Sequence, residues 1–386
     1  MATGYRFPIR DSAGVATTTT ADLSDMFLRY ENFVGSKLNM WGYNVNGQLA
    51  QNDTTPRSSP VQVGSLTNWR QVSAAFGGFM IATKTDGTLW GCGYNTFGQL
   101  AQGNTATPSS PVQIGTSTNW KQIATGGYHT AAIKTDGTLW TWGTNTQGQL
   151  GVNNNTHYSS PIQVGALTTW KSVACGFSNN FAIKTDGSLW VCGYNAQGEL
   201  GNNTRTSYSS PIQIGALTNW KQLASGQYHA AAVKTDGTLW TWGFNSSGQL
   251  GKGNTGSYSS PVQVGSLTNW RQVAAGFYFT AAIKTDGTLW MWGNDSYGQL
   301  GQGNQTFYSS PIQVGSLTNW KQITCGGYHS IALKTDGTIW SWGSNDKGQL
   351  GNGNTTYYSS PIQVGSLTTW RAVNTSGDIT CAILAT

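Results

Sequence analysis

The sequence predicts an all-β fold: a closed seven-bladed β-propeller with four strands per blade, its seventh blade shared by strands from the two ends of the repeat region. Three observations carry this. The chain repeats itself at an offset of 50 residues, each period holds four short strand candidates between turn residues, and one copy is split between the two ends.

From residue 92 onward the period is strict. CGYNTFGQL begins at 92, WGTNTQGQL at 142, CGYNAQGEL at 192, WGFNSSGQL at 242, WGNDSYGQL at 292 and WGSNDKGQL at 342; WGYNVNGQL at 41 is a seventh copy, displaced by one residue. SSP also occurs seven times, ending at Pro60, Pro111, Pro161, Pro211, Pro261, Pro311 and Pro361. KTDG(T/S)(L/I)W occurs only six times. The missing copy is divided: TCAILAT at the end matches the segment before TDG, and GSKLNMWGYN matches the segment after it. Pairing the two would close a ring and remove sheet edges that otherwise invite aggregation.

Within the unit that begins at Trp120, strands are predicted at residues 121–124, 129–134, 139–144 and 162–164. The TDG between the second and third supplies an Asp for local capping and a Gly for a positive φ, as a tight hairpin needs. NxxGQLG is turn chemistry of the same kind. Pro161 is expected to open the fourth strand, where a missing N–H is tolerated.

Composition narrows the function classes. Charged residues are 9 % of the chain, against roughly 25 % in an average soluble domain. Residues 1–34 hold three basic and four acidic groups, so the net charge of +6 leaves +7 on the remainder. Each KTDG cancels internally, and the excess is one cation directly after a repeated Trp: Arg70, Lys121, Lys171, Lys221, Arg271, Lys321 and Arg371. These read as charges on a solvated strand edge that discourage pairing, with a grip on a polyanion as the functional alternative. A nucleic-acid protein clusters its cations on one face between stacking aromatics. That pattern is absent, so no nucleic-acid partner is expected.

Of the five cysteines, Cys92 and Cys192 stand where Trp142, Trp242, Trp292 and Trp342 stand in other copies, and Cys175 and Cys325 where Ala75, Thr125 or Ser225 stand. There is no CxxC and no Cys/His metal spacing, so neither a disulfide framework, a metal nor a cofactor is expected. The N-terminus lacks a signal-peptide core, and no run approaches the roughly 18 apolar residues of a transmembrane helix. The expectation is a protein made and folded in a cytoplasm, without membrane insertion.

The run GGYHTAAIKTDGTLWTWGTNTQGQLG at 126–151 closely resembles the repeat of the regulator of chromosome condensation family, whose pattern is Gly-x-x-His, a small apolar strand, a turn Gly and WGxNxxGQLG. The resemblance covers about residues 35–386. It implies a seven-bladed propeller whose ends share a blade. In that family some members are nucleotide-exchange factors for a small GTPase or bind chromatin, and others, in bacteria and viruses, are interaction surfaces. The exchange factors insert a protruding wedge between strands, for which spacings of 50 or 51 leave no room.

Most residues that resemble a site recur with the blades. His129, His229 and His329 occupy a position that elsewhere holds Phe79, Asn179, Phe279 and Ile379, which marks packing rather than catalysis. Asp86, Asp136, Asp186, Asp236, Asp286 and Asp336 each sit in a separate hairpin, which suits turn formation and not an acid/base pair. Tryptophan could stack on sugars, but at fixed repeat positions it serves packing between blades. Aromatics where other copies are polar are the better binding candidates: Phe97 and Tyr297 in the NxxGQL turn, Phe307 and Tyr357 before YSSP.

Residues 1–34 share nothing with the repeat. Leu23, Met26, Phe27, Tyr30, Phe33 and Val34 follow the i, i+3, i+4, i+7 rhythm and Asp22 can cap the start, so a short amphipathic helix is predicted. Such a helix must bury its apolar face, on its own propeller or on a partner. The division is therefore an N-terminal anchor, 1–34, and a propeller, 35–386.

The functional expectation is a non-enzymatic binding or structural protein. Its leading form is a bacteriophage virion component, tail or tail fibre, meeting other virion proteins or the host surface, with glycans as further ligands. The alternatives are a cytoplasmic adaptor or GTPase regulator of the family's eukaryotic type, and a lectin-like or inhibitor-like propeller.

Overall fold

A computed structural model describes residues 36–385. Within them lie 28 strands in seven four-stranded sheets. In blade two the order from the axis outward is Trp120–Thr125, His129–Lys134, Leu139–Gly143 and Tyr158–Gln163, each antiparallel to the next.

The hairpin between second and third strands shows why the repeat is written as it is. Asp86 Oδ1 accepts from the backbone N–H of Thr88 at 2.9 Å and from its hydroxyl at 2.6 Å, and the same hydroxyl accepts from Trp90 Nε1 at 2.8 Å. Gly87 adopts φ +78°, and a side chain there would collide with the carbonyl of Thr118 in the loop that enters the next blade. The lysine of KTDG does not answer the aspartate. Lys84 Nζ lies 3.4 Å from the ring centre of Trp90 and 5.1 Å from that of Trp69, and the two indoles meet edge to face. The motif recurs at Lys134, Lys184, Lys234, Lys284 and Lys334. Each contact is a cation–π interaction of about 1–2 kcal/mol. Burial lowers the pKa of Lys84 accordingly.

The outer strand departs from expectation. It begins at Tyr158, and Pro161 lies inside it, at the register shift between Tyr158 and Ile162. A bulge on the outermost strand needs no N–H there, which is how the proline is accommodated. Blade one, where Pro108 replaces the tyrosine, keeps only Val112–Gln113 as its outer strand.

The split unit closes as predicted. Ser36–Gly42 pairs with Ile379–Ala385 over seven consecutive residues, and blade seven runs Trp370–Ser376, Ile379–Ala385, Ser36–Gly42, Arg57–Gln62 from the axis outward. The single-residue displacement also has a place: the inner strand of blade one, Trp69–Ala75, has seven residues where that of blade two has six.

Two devices join blade to blade. On the third strand, Trp142 Nε1 donates to Gln99 O of the preceding blade at 2.8 Å, Trp242 to Glu199 O at 2.7 Å, and Trp41 to Gln349 O at 3.0 Å across the closure. Where cysteine replaces the indole, Cys192 Sγ reaches Gln149 O at 3.5 Å. On the inner strands a glutamine clasps its neighbour: Gln272 Nε2 donates to Ile323 O at 2.7 Å and Gln272 Oε1 accepts from Ile323 N at 3.4 Å. Gln71, Gln122, Gln222 and Gln322 do the same. Ser172 and Ala372 are too short for it.

Gln272→Ala strips partners from two buried backbone groups and is expected to cost about 2 kcal/mol, read as a lower midpoint in thermal or urea unfolding. Ser172→Gln supplies a clasp at one of the two seams that lack it and should raise the midpoint; a fall with this variant would show that the clasp does not stabilise.

Candidate functional site

Each inner strand runs from a Trp–cation pair at one end of the ring to a Gly-rich loop at the other. The second end carries the NxxGQL turns, and each turn is held by two amides. Asn95 Oδ1 accepts from Leu100 N at 2.8 Å, while its Nδ2 donates to Asn104 O and Ala106 O at 3.1 and 2.9 Å. Gln99 Oε1 accepts from the N–H of Phe97 at 2.9 Å. Both amides are buried, so the residue at position 97 is presented from a rigid support.

Across this end runs an unbroken path of rings. From one rim it passes His157, Phe97, Tyr128 and Phe177 at centroid spacings of 5.5, 5.7 and 6.1 Å. At the axis Phe177 meets Phe76 at 5.1 Å and Phe76 meets Phe277 at 4.2 Å. Outward again, Phe277 touches Tyr328, Tyr328 touches Tyr297 and Tyr297 touches Tyr357, at 5.2, 5.0 and 5.7 Å. A branch through Tyr278 reaches Tyr228 and Phe244. Phe76, Phe177 and Phe277 come from blades one, three and five, which are not neighbours, so they meet only because they reach the axis. Glycines make the space: side chains at Gly127 and Gly327 would press on the rings of Phe177 and Phe277.

Three of the four loop aromatics singled out from sequence, Phe97, Tyr297 and Tyr357, lie on this path. Phe307 is 49 % exposed and stands off it. Phe97 stacks on His157 and Tyr297 on Tyr357, 60 residues on; the partner position for Phe307 is Ser247, which has no ring. Leu23, Met26, Phe27, Tyr30 and Phe33 lie outside the described residues. Sequence reasoning missed the axial phenylalanines and the tyrosines around them. Their signal was present: Phe76 aligns with Gly126, and Phe177 and Phe277 with Gly127 and Gly327.

The repeated histidines are structural. His129, His229 and His329 are buried, and their Nε2 atoms bond to Asn180, Thr280 and Thr380 of the next blade at 2.9, 2.9 and 3.1 Å. Burial pushes the pKa of His129 down to about 4 and those of the other two to about 3. A side chain at Gly126 would strike the His129 ring, which explains the Gly-x-x-His spacing. The five cysteines carry free thiols, raised by burial, Cys192 to about 12.

A family model for the RCC1-like domain matches residues 118–386, and one for the regulator of chromosome condensation (RCC1) repeat matches 38–80 and 86–133. The chain belongs to this family. A stretch of 96 residues is 34 % identical to the ultraviolet-B receptor UVR8 of Arabidopsis thaliana, covering 24 % of this chain and 22 % of the receptor's length. Among solved structures, human WBSCR16 aligns with a TM-score of 0.81 at 22 % identity, over 92 % of this chain and 100 % of that one. Prp20p of Saccharomyces cerevisiae, whose structure was described with its binding to Gsp1p and histones, aligns at 0.83 and 19 % identity over 92 % and 93 % of the two chains. Yeast RCC1 (Prp20) bound to Kap60 gives 0.83 at 18 % over 99 % and 96 %. These likenesses show the shared fold.

In this RCC1-like ring two repeat positions that otherwise hold amides hold acids, both on the aromatic end. Asp295 replaces the turn asparagine. Its Oδ1 still accepts from Leu300 N at 2.8 Å, but Oδ2 stands where the others carry a donating NH₂, and it has no partner. Glu199 replaces the turn glutamine; Oε2 accepts from Gln197 N at 2.9 Å and buried Oε1 has no partner. Burial raises both pKa values to about 7.

A carboxyl whose folded pKa lies above its unfolded value favours folding at low pH and loses that contribution as pH rises through the folded pKa. Between about pH 4 and 7 each acid therefore turns from neutral to costly. Asp295→Asn and Glu199→Gln are expected to raise stability at pH 8 by about 2 kcal/mol each, and to change it little at pH 3.5. Unfolding midpoints of both variants at the two pH values check this; a gain of equal size at pH 3.5 would assign it to packing instead.

Proposed function

We propose that this chain is a non-enzymatic binding propeller that holds a protein partner against its aromatic end. In this reading it is a bacteriophage virion component of the tail or tail fibre, made in the host cytoplasm and attached to the particle through residues 1–34. The observation that carries the binding reading is the path of rings from His157 through Phe76 to Tyr357, laid on turns that buried amides hold rigid. Rigid, half-exposed aromatics bury large area at low entropic cost, which is why they dominate interface hot spots. Family relatives described with protein partners, Prp20p with Gsp1p and histones and yeast RCC1 with Kap60, support a protein as the ligand. The virion setting draws on the low charge, the polar loops, the near-identical repeats and a first segment unlike the blades.

Family membership favours a second reading, an interaction adaptor or GTPase regulator. Against it stand the uniform connections, whose spacing of 50 or 51 residues admits no inserted wedge.

The full chain should sediment with phage particles and cross-link to a neighbouring tail protein. The triple variant Phe97→Ser, Tyr297→Ser, Tyr357→Ser, checked for an unchanged unfolding midpoint, should lose about tenfold or more in that cross-link, whereas Leu217→Ser at the opposite end should not. Phe27→Asp with Tyr30→Asp should reduce incorporation into particles. A wild-type chain that stays off the particle and binds a small GTPase would move the assignment to the second reading.

A further inference from the structure

One of the two buried acids stands where the fold gathers oxygens. In the other six copies of the turn, the asparagine equivalent to Asp295 donates from Nδ2 to the backbone carbonyl nine residues on and, in all but one copy, to that eleven residues on, at 2.8–3.2 Å. In the copies at Asn145, Asn245 and Asn345 the same Nδ2 also approaches the side-chain oxygen of the asparagine nine residues on, at 3.3–3.4 Å. The corresponding positions in blade five are Asn304 and Thr306. The loop there keeps the form it has elsewhere. Gly303 N donates to Ser359 O at 2.7 Å, as Gly253 N does to Ser309 O, and Thr306 N donates to Asn304 Oδ1 at 2.9 Å, as Thr356 N does to Asn354 Oδ1.

Asp295 therefore sets a carboxylate oxygen where the other blades carry a donor. Its Oδ2 is buried and without a partner, and it faces the positions of Asn304 O, Asn304 Oδ1 and Thr306 O. An ionised carboxylate has no proton to donate, so these oxygens have nothing to hold them together except a cation placed between them. Oxygens at such spacings suit neighbouring ligands of an ion that binds each at roughly 2.3–2.6 Å, the range of calcium. The donors are a carboxylate, backbone carbonyls and an amide carbonyl, the set that hard cations prefer. Residues 303–306 are exposed, so water can complete the shell. Magnesium demands a smaller, nearly ideal octahedron, which a loop of fixed form does not offer. Glu199 is the contrast. The Nε2 atoms of Gln48, Gln99 and Gln249, its counterparts, have no acceptor, so an acid at that position gains no set of oxygens around it.

We propose that Asp295, Asn304 and Thr306 form a site for one calcium ion, which braces this loop of blade five as an asparagine amide braces the loops of the other six. The full chain, freed of divalent cations with EGTA and titrated with calcium chloride at pH 8 in a calorimeter, should take up calcium saturably with a Kd of about 0.1–1 mM, the range of sites with few carboxylates. The unfolding midpoint should rise with calcium chloride more than with magnesium chloride or sodium chloride of matched ionic strength. Asp295→Asn restores the residue of the other copies, so it should fold, and it should lose this uptake and the calcium-dependent rise. Glu199→Gln should keep both. In EGTA Asp295→Asn remains the more stable chain at pH 8, and calcium narrows the difference. The proposal is overturned if calcium gives no saturable uptake, which would mean that Asp295 is held as a neutral acid, if magnesium or sodium chloride raises the midpoint equally, or if Asp295→Asn takes up calcium as wild type does. Binding of a partner by the aromatic path is tested separately, and none of these outcomes decides it.

Discussion

Beside the glutamine clasps of the inner strands, each seam between blades is organised around one carbonyl in the NxxGQL turn. Gln99 O receives the indole N–H of Trp142 at 2.8 Å and the hydroxyl of Thr130 at 3.2 Å, and Gln349 O receives Trp41 and Thr380 across the closure at 3.0 and 2.8 Å. The bonds are buried, so losing one would strand a polar group without water. A turn that displays position 97 to solvent is thus also the part that sets the seam between blades. Display and assembly are mechanically the same element.

That coupling explains how the two ends of the ring differ. At the aromatic end the turn amides and the histidine contacts freeze the loops, and the rings that break the repeat are offered on a stiff frame. At the cation end the hairpins are stiffened otherwise, by lysine stacked between two indoles and by aspartate folded onto its own threonine. Leucines at 45–49 % exposure, such as Leu217, Leu317 and Leu367, stand in the loops that lead to the cations. One end is paved with rings and the other is charged, although both come from one repeated sentence of residues.

The departures from that repeat are of two kinds. Phe76, Phe177 and Phe277 replace glycines and fill the axis, which the space left by Gly127 and Gly327 permits. Asp295 and Glu199 replace amides inside the seam and leave a buried oxygen unpartnered. The first kind adds surface chemistry where the ring has room. The second introduces a charge where it has none, and so ties the seam to pH.

The sequence by itself determined the number of blades, the four strands in each, the shared seventh blade and the structural standing of His129, Asp86 and the tryptophans, because each is a local pattern repeated at a fixed period. It also marked Phe97, Tyr297 and Tyr357 as exceptions. It misplaced Pro161, since a bulge inside an outer strand depends on the partner strand's register and leaves no signature of its own. Only the tertiary structure decided what closure brings together. Phe76, Phe177 and Phe277 are about 100 to 200 residues apart in sequence and become neighbours because inner strands converge on an axis. The post-tryptophan cations become a ring for the same reason. Period is written along the chain, whereas convergence exists only once the ring has closed.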